Sequence, residues 1–412
     1  MRLLVGLHHL ELGGSQLNAL DLALRMRDRG HHVALLGTHT GRPGPMADLA
    51  RERGLEITLV RHPRERTRPV APYRAAVAAE LTRLVREQRF DLVHTYEYPL
   101  ALDAVYGPHA RLGTPLVSTV YTMRLPRWLP RNITLVAAYE EIAAAARACG
   151  QNCLLIEPPV DTDADSPQAV DGAAYRAGLG ISPEEIVVGI VTRLEPEMKA
   201  EGVVRAMEAV RRLDPEIPLR LLVVGTGPSY DELAARGAEV NEALGRQAVL
   251  VPGALGDPRP AYAASDISVG MGGSAVRGMS FARPLIVIGT RGFSRTFRPD
   301  TADHFLHVGY YGVGEGIEDP DPLAGQIREL ALDAGLRSEL GSWSRRLVVD
   351  RYSLDAAANR LEHIYLEART GQRRRGSELA RTAVYRAVAD MVPDGAKTGL
   401  RPMARRVLGQ RA

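Results

Sequence analysis

Ile186-Val187-Val188-Gly189-Ile190-Val191, followed by Thr192-Arg193-Leu194-Glu195-Pro196-Glu197-Met198-Lys199, is the stretch on which the reading of this chain turns. A run of branched apolar residues broken only by one glycine suits a strand buried on both faces, as strands of parallel sheets are. Two cations then follow its carboxyl end, where open α/β sheets hold their ligands. Onward from it, Gly202–Leu213 has helical spacing, Leu219–Gly225 reads as a strand, Tyr230–Leu244 as a helix and Ala248–Val251 as a strand. Ile267–Gly270, Leu285–Ile288 and Phe305–Val308 complete the expected sheet, with Pro322–Leu332 and Leu354–Ala368 as closing helices.

The same alternation precedes it. Strands are expected at Arg2–Leu7, His32–Leu36, Glu56–Val60, Asp91–Thr95, Pro115–Val120, Ile133–Ala137 and Cys153–Ile156, with helices at Gln16–Arg29 and Ala71–Gln88. Between the two series, Glu157-Pro158-Pro159-Val160-Asp161 and an Asp/Ser/Pro/Gly stretch to about Gly172 read as a linker. The expectation is an α/β chain with one fold type written twice. Residues 1–165 form a first doubly wound parallel-sheet domain, 173–353 a second, 354–370 a closing helix and 371–412 a basic tail.

Composition agrees. The chain has 412 residues, more than one core usually serves, and is 45% apolar and 25% charged, as globular proteins are. No window approaches the apolar length of a membrane span, and Met1–Leu7 is too short for a secretory core, so a cytoplasmic protein is expected. Cys149 and Cys153 are the only cysteines and have no His or acidic cluster beside them, so they read as reduced thiols and no metal site is expected. From Arg369 to Ala412 eleven Arg or Lys face Glu378, Asp390 and Asp394, a local +8; with +3 overall, the first 368 residues stand at −5. The basic balance belongs to the tail, which argues against nucleic acid as a partner. That tail, in which Ser377–Met391 could form a helix, reads as solvated, or as a contact with the inner face of a membrane or with a protein.

Several residues could carry chemistry. Gly13 and Gly14, in Leu12-Gly13-Gly14-Ser15-Gln16, open the first helix and would let backbone N–H groups approach an anion, though a tight turn needs the same residues. Arg193 grips phosphate oxygens with a fork, whereas Lys199 is a compact charge. Lysine occurs only at Lys199 and Lys397 in a chain of fifty arginines, so its use at position 199 suggests a demand for that shape. Gly270-Met271-Gly272-Gly273-Ser274 forms a second backbone cradle, with Ser274 expected as N-cap and Arg277 in the helix that follows. Gly225 and Gly227 read as a strand-ending turn or a ligand edge. His94, Glu97 and Tyr121 are candidate substrate contacts. The pairs His8-His9 and His31-His32 are expected on opposite sides of their strands, unable to chelate as neighbours, and Asp161-Thr162-Asp163 is set aside as part of the linker.

Taken together these residues resemble the retaining glycosyltransferases of the GT-B fold, family 4 type. Gly13-Gly14-Ser15-Gln16 through Gly30-His31-His32-Val33 resembles that family's opening motif, and Asp91-Leu92-Val93-His94 its Asp-aliphatic-aliphatic-His strand. Val160-Asp161 resembles the end of its interdomain motif. Arg193-Leu194 with Lys199 is similar to its Arg-Leu…Lys-Gly signature, Val224-Gly225-Thr226-Gly227-Pro228 to its Val-Gly-x-Gly-Pro, and Tyr262-Ala263-Ala264-Ser265-Asp266 to its Tyr-x-x-Ala-Asp. The likeness spans about residues 1–368. Four features depart from it: Val269 and Arg277 stand where the family has two glutamates, Thr119-Val120-Tyr121 replaces Thr-x-His, Pro158-Pro159 replaces Asn-Gly, and Lys199 comes one residue late.

The resemblance implies two facing Rossmann-like domains with a cleft between them. It also implies a hexosyltransferase-type enzyme moving a sugar, with retention and without a metal or other cofactor, from a nucleotide-diphosphate donor. Arg193 and Lys199 would be the catalytic residues, neutralising charge on the departing diphosphate, and the donor would lie on Gly13, Gly14, Gly225, Gly227, Gly272, Gly273, Ser274 and Arg277. The acceptor would be a carbohydrate, a lipid-linked intermediate or a small molecule, as in polysaccharide or natural-product glycosylation. The alternatives are a non-catalytic relative that binds a sugar nucleotide or scaffolds a partner transferase, and a sugar-nucleotide epimerase-like enzyme.

Overall fold

The structure, a computed structural model, describes residues 1–62, 73–121, 125–126, 128–214, 216–316, 321–372 and 376–391. It divides into two units, Met1–Ala138 with Ile142–Ile156 and Ala358–Ala412, and Tyr139–Glu141 with Glu157–Ala357.

The first unit is built on seven parallel strands: β1 (Arg2–Leu7), β2 (His32–His39), β3 (Glu56–Arg61), β4 (Leu92–Tyr96), β5 (Leu116–Val120), β6 (Thr134–Ala137) and β7 (Cys153–Leu155). Their order is β3-β2-β1-β4-β5-β6-β7. Connections from β1 run outward in one direction and those from β4 in the other, so the order reverses between β1 and β4. All five residues of β4 and of β5 are buried, as central parallel strands covered on both faces require.

The second unit has β8 (Ile186–Val191), β9 (Leu219–Val224), β10 (Val249–Gly253), β11 (Ile267–Gly270), β12 (Leu285–Ile288) and β13 (Ser294–Thr296), in the order β10-β9-β8-β11-β12-β13. Its reversal falls between β8 and β11. The sheet is parallel except at its edge, where β13 runs antiparallel to β12. Val188, Ile190, Val203, Met207, Leu221 and Val269 form the centre of its core. Both units are thus doubly wound Rossmann-like layers, as expected.

Three expectations are corrected. Phe305–Val308 is not a strand: it ends the helix Ala302–Val308, and the edge strand is Ser294–Thr296. A four-residue apolar run has no period of its own, and here Phe305 packs edge-on against Phe297 and Phe293, which a helical Phe can do equally well. The presumed linker from Glu157 to Gly172 is part of the second unit. Glu157 accepts from Arg351 Nε and the Tyr352 hydroxyl, Val160 pairs its backbone with Tyr352 and Leu354, and Ser280 donates to Asp165 O. The turn-forming residues suggested a free segment, but their hydrogen bonds are supplied by that unit. The helix Leu354–Gly371 passes to the first unit from Ala358 on, where the Tyr365 hydroxyl lies 2.6 Å from His94 Nδ1.

Residues 376–391 of the basic tail form a helix of the first unit. Thr382 is fully buried and donates to Trp128 O, the Arg131 N–H donates to Glu378, and the Tyr106 hydroxyl donates to Leu379 O. Residues 392–412 lie outside the described ones. Among the described residues no helix is long and apolar enough to cross a membrane.

Candidate active site

In the second unit the loops that leave β8 and β11 flank the point where strand order reverses, the place where a doubly wound sheet opens a ligand crevice. The loop after β8 is clamped by the turn after β9. Leu194 N–H donates to Thr226 O at 3.0 Å and Ser229 N–H to Leu194 O at 3.1 Å. Gly225 and Gly227 make this contact: at φ +152° and +156°, a Cβ on either would stand 1.8 Å from Thr192 O or 2.4 Å from Leu194 O. Their glycine character is therefore required by the protein's own backbone.

The two cations of this loop differ in environment. The Arg193 side chain is 70% exposed and pairs with Glu195 at 2.7 Å. Lys199 sits half-buried in the five-residue turn Pro196–Ala200, with Glu197 in an extended conformation and Met198 at φ +73°. Burial alone draws its ammonium down to about 8, and no carboxylate among the described residues answers it. On the other side, Gly272 follows β11 at φ +56° as the N-cap of the helix Gly273–Ser280. Gly272 N–H is used by Tyr310 O at 3.0 Å, so Gly273 and Ser274 carry the amides of the first turn. A Cβ on Gly273 would meet nothing within 4 Å. Ser274 is not the N-cap; that position is Gly272, and the Ser274 hydroxyl donates to Met271 O inside the turn.

Arg277 is engaged elsewhere. Its Nε donates at 2.8 Å to Asp165, a buried carboxyl whose pKa is raised by burial in spite of that cation. The sequence offered no cue for Asp165, since it stood in the presumed linker.

In the first unit, Ser15 and Glu97 follow the carboxyl ends of β1 and β4. Gly13 is the N-cap of the helix Gly14–Asp28, and Ser15 Oγ donates to Glu97 Oε1 at 3.0 Å. Tyr121 N–H donates to the same oxygen at 3.2 Å. His94 is not at the strand's end but within β4, 1% exposed, between the Tyr365 and Thr119 hydroxyls, and burial holds its imidazole near a pKa of about 3. Both of its ring nitrogens are thus engaged within the first unit. His8 and His9 also depart from expectation: they lie just beyond β1, so strand alternation does not separate them. Their rings meet at 4.1 Å and both touch the Gln16 amide.

With this geometry in view, comparison with known proteins is decisive for the family. The Glycosyltransferase Family 4 model matches residues 12–149 and the Glycosyl transferases group 1 model matches residues 185–333, one on each unit. The chain belongs to the GT-B glycosyltransferases, family 4-like.

Its relatives include D-inositol 3-phosphate glycosyltransferases. That of Salinispora arenicola is 25% identical over 332 residues, 71% of this chain and 72% of the relative. That of Stackebrandtia nassauensis is 26% identical over 260 residues, so the chain matches only 56% of that protein's length. Among solved structures, a glycosyltransferase from Rickettsia africae is similar at TM-score 0.70 and 15% identity, covering 90% of this chain and 98% of the other. An Anabaena protein, HepE, solved with UDP, is similar at TM-score 0.67 and 16% identity, covering 88% and 99%. As a family 4-like chain, it departs from the usual pattern in ways that now have a local cause. The late Lys199 directly follows the turn at Glu197–Met198. Arg277, in a glutamate's place, is matched by Asp165.

Proposed function

We propose that this chain transfers a sugar from a nucleotide-diphosphate donor to a hydroxyl acceptor, with retention and without a metal, the second unit taking the donor and the first the acceptor. The observation that carries this reading is Lys199: a half-buried ammonium without a carboxylate, on the loop after β8, at the reversal point it shares with the Gly273 and Ser274 amides after β11. Such a cation is unfavourable unless an anion meets it, and a pyrophosphate is an anion of that kind. As the anomeric bond to the diphosphate breaks, negative charge grows on the departing oxygen, and fixed cations and amides stabilise it. The acceptor oxygen bonds to the anomeric carbon from the face being vacated, and its proton passes to the leaving diphosphate. Arg193 would turn from Glu195 to the phosphates when they arrive; Gly225 and Gly227 act by holding its loop. Support comes from the family match on both units and from the UDP bound by the Anabaena relative of the same fold.

The test is a thermal-shift screen of nucleoside diphosphates and their sugars on wild type and Lys199→Ala, followed by transfer assays with the donor it selects. Stabilisation by one diphosphate, reduced in Lys199→Ala, is expected. A screen in which none stabilises the wild type would remove the basis of the proposal. A non-catalytic binding role is favoured by one observation, the Asp165–Arg277 pair in place of the family glutamate. Diphosphate binding without donor consumption would establish it. Release of the free diphosphate only when an acceptor is present separates transfer from epimerisation.

A further inference from the structure

The first sheet has its own reversal point, and one side chain there is unexplained by packing. Glu97 follows β4 directly and is 7% exposed. Its Oε1 receives both the Ser15 hydroxyl and the Tyr121 amide, while Oε2 is buried with no hydrogen-bond partner. A carboxyl oxygen left this way is costly and calls for a reason. The backbone adds a second cost. Glu97 stands at φ +68°, ψ +150°, a conformation that glycine adopts freely and a glutamate does not, at about 1–3 kcal/mol. Packing alone would be served better by a glycine or an amide here.

The surroundings also specify a charge. Burial raises the Glu97 pKa and the Tyr121 and Ser15 bonds lower it, and no guanidinium or ammonium of the described residues acts on it. Arg74, the cation beside the neighbouring His8, is held by Asp103 through its Nε at 2.8 Å and by His62. A phosphate brought to Glu97 would therefore face a carboxyl with no unengaged cation among the described residues to offset the repulsion. A neutral hydroxyl would supply the bond that Oε2 lacks.

We propose that Glu97 is the specificity-determining residue for the acceptor, that its Oε2 takes a hydrogen bond from an uncharged polyhydroxylated acceptor, and that it selects against phosphorylated ones. This rests on the transferase reading above. It also sets the chain apart from relatives whose names specify a phosphorylated inositol.

The experiment uses the full chain, the nucleotide sugar chosen by the shift screen, and two matched acceptor pairs: myo-inositol with an inositol monophosphate, and glucose with glucose 6-phosphate. Wild type is expected to favour the neutral member of a pair in kcat/KM by at least about tenfold, or 1.4 kcal/mol. Glu97→Gln is expected to lower that preference to a few-fold, chiefly by raising KM for the neutral member, with diphosphate affinity unchanged. Glu97→Asp keeps the charge and is expected to keep the preference, which guards against a variant that merely folds poorly. Preference for the phosphorylated members, transfer to neither neutral acceptor, or equal ratios in wild type and Glu97→Gln would overturn the assignment. Loss of diphosphate binding in wild type would instead defeat the transferase reading itself.

Discussion

Lys199 shows how far one residue can be read from its type. Its rarity in an arginine-rich chain marked it, and the structure adds the environment: half-buried, without a carboxylate, its pKa lowered to about 8. The charge is present below that pH and is lost as pH rises through it. A bound diphosphate would hold the proton, so binding above pH 8 requires proton uptake. Diphosphate affinity in calorimetry should fall roughly tenfold per pH unit above about 8, and Lys199→Arg, charged throughout, should flatten the curve. Lys199→Ala should reduce transfer by a hundredfold or more while leaving the melting temperature near that of wild type, because only a solvation cost is removed with the side chain. Arg277 is the opposite case. The family pattern marked it as a ligand candidate, but its geometry assigns it to Asp165, whose side chain is 6% exposed. Arg277→Ala should destabilise the fold by about 1–3 kcal/mol in a denaturant titration, the arginine being 30% exposed and the pair correspondingly screened. Its effect on diphosphate affinity should be small.

At the scale of elements, legibility followed period. Ile186–Val191, Ile267–Gly270 and Tyr230–Leu244 fall where the apolar pattern put them, because a buried strand or a two-sided helix declares itself. The helix Ala334–Tyr352 was missed although it is nineteen residues long. Its buried stripe is Leu340, Ser344, Val348 and Tyr352, one residue per turn and one of them polar, too narrow for the pattern to register. Gly341 on that face lets the helix approach the backbone: a Cβ there would lie 2.2 Å from Ala282 O. Glycine in Gly225-Thr226-Gly227 was legible as a turn, but the reason for it was not, since its partners Thr192 and Leu194 lie 33 residues earlier in the chain. Gly225→Ala should cost about 2 kcal/mol or more, from a strained φ and a clash with Thr192 O. Because the clamped segment carries Arg193, diphosphate affinity should fall together with the unfolding midpoint, which separates this variant from Arg277→Ala.

For the whole molecule, the repetition of one fold type was readable because each half carries its own alternation of strands and helices. Where each half stops was not readable, because ownership of a segment is decided by partners distant in sequence. Glu157 looks like linker until Arg351 and Tyr352 are seen to hold it, and the C-terminal helix looks like tail until Trp128 and Leu129 are seen beneath it. Charge composition misled here for a physical reason. Arg381 was counted as one more tail cation, yet it is engaged with Glu378 and with Leu129 O. Two truncations divide the structural part of this segment from the merely basic part. Ending the chain at Gln372 removes the helix Gly376–Met391, deprives the Tyr106 hydroxyl of its acceptor at Leu379 O, and uncovers the ground on which buried Thr382 sits. Its melting temperature should drop by several degrees, at about 2–4 °C per kcal/mol for units of this size. Ending at Met391 removes Lys397, Arg401, Arg405, Arg406 and Arg411 and leaves those contacts in place. That form should melt like wild type, and any affinity of the full chain for anionic vesicles should disappear with it, since each cation near such a surface contributes about 1 kcal/mol. Equal melting temperatures for all three forms would return the helix to the status of an appendage.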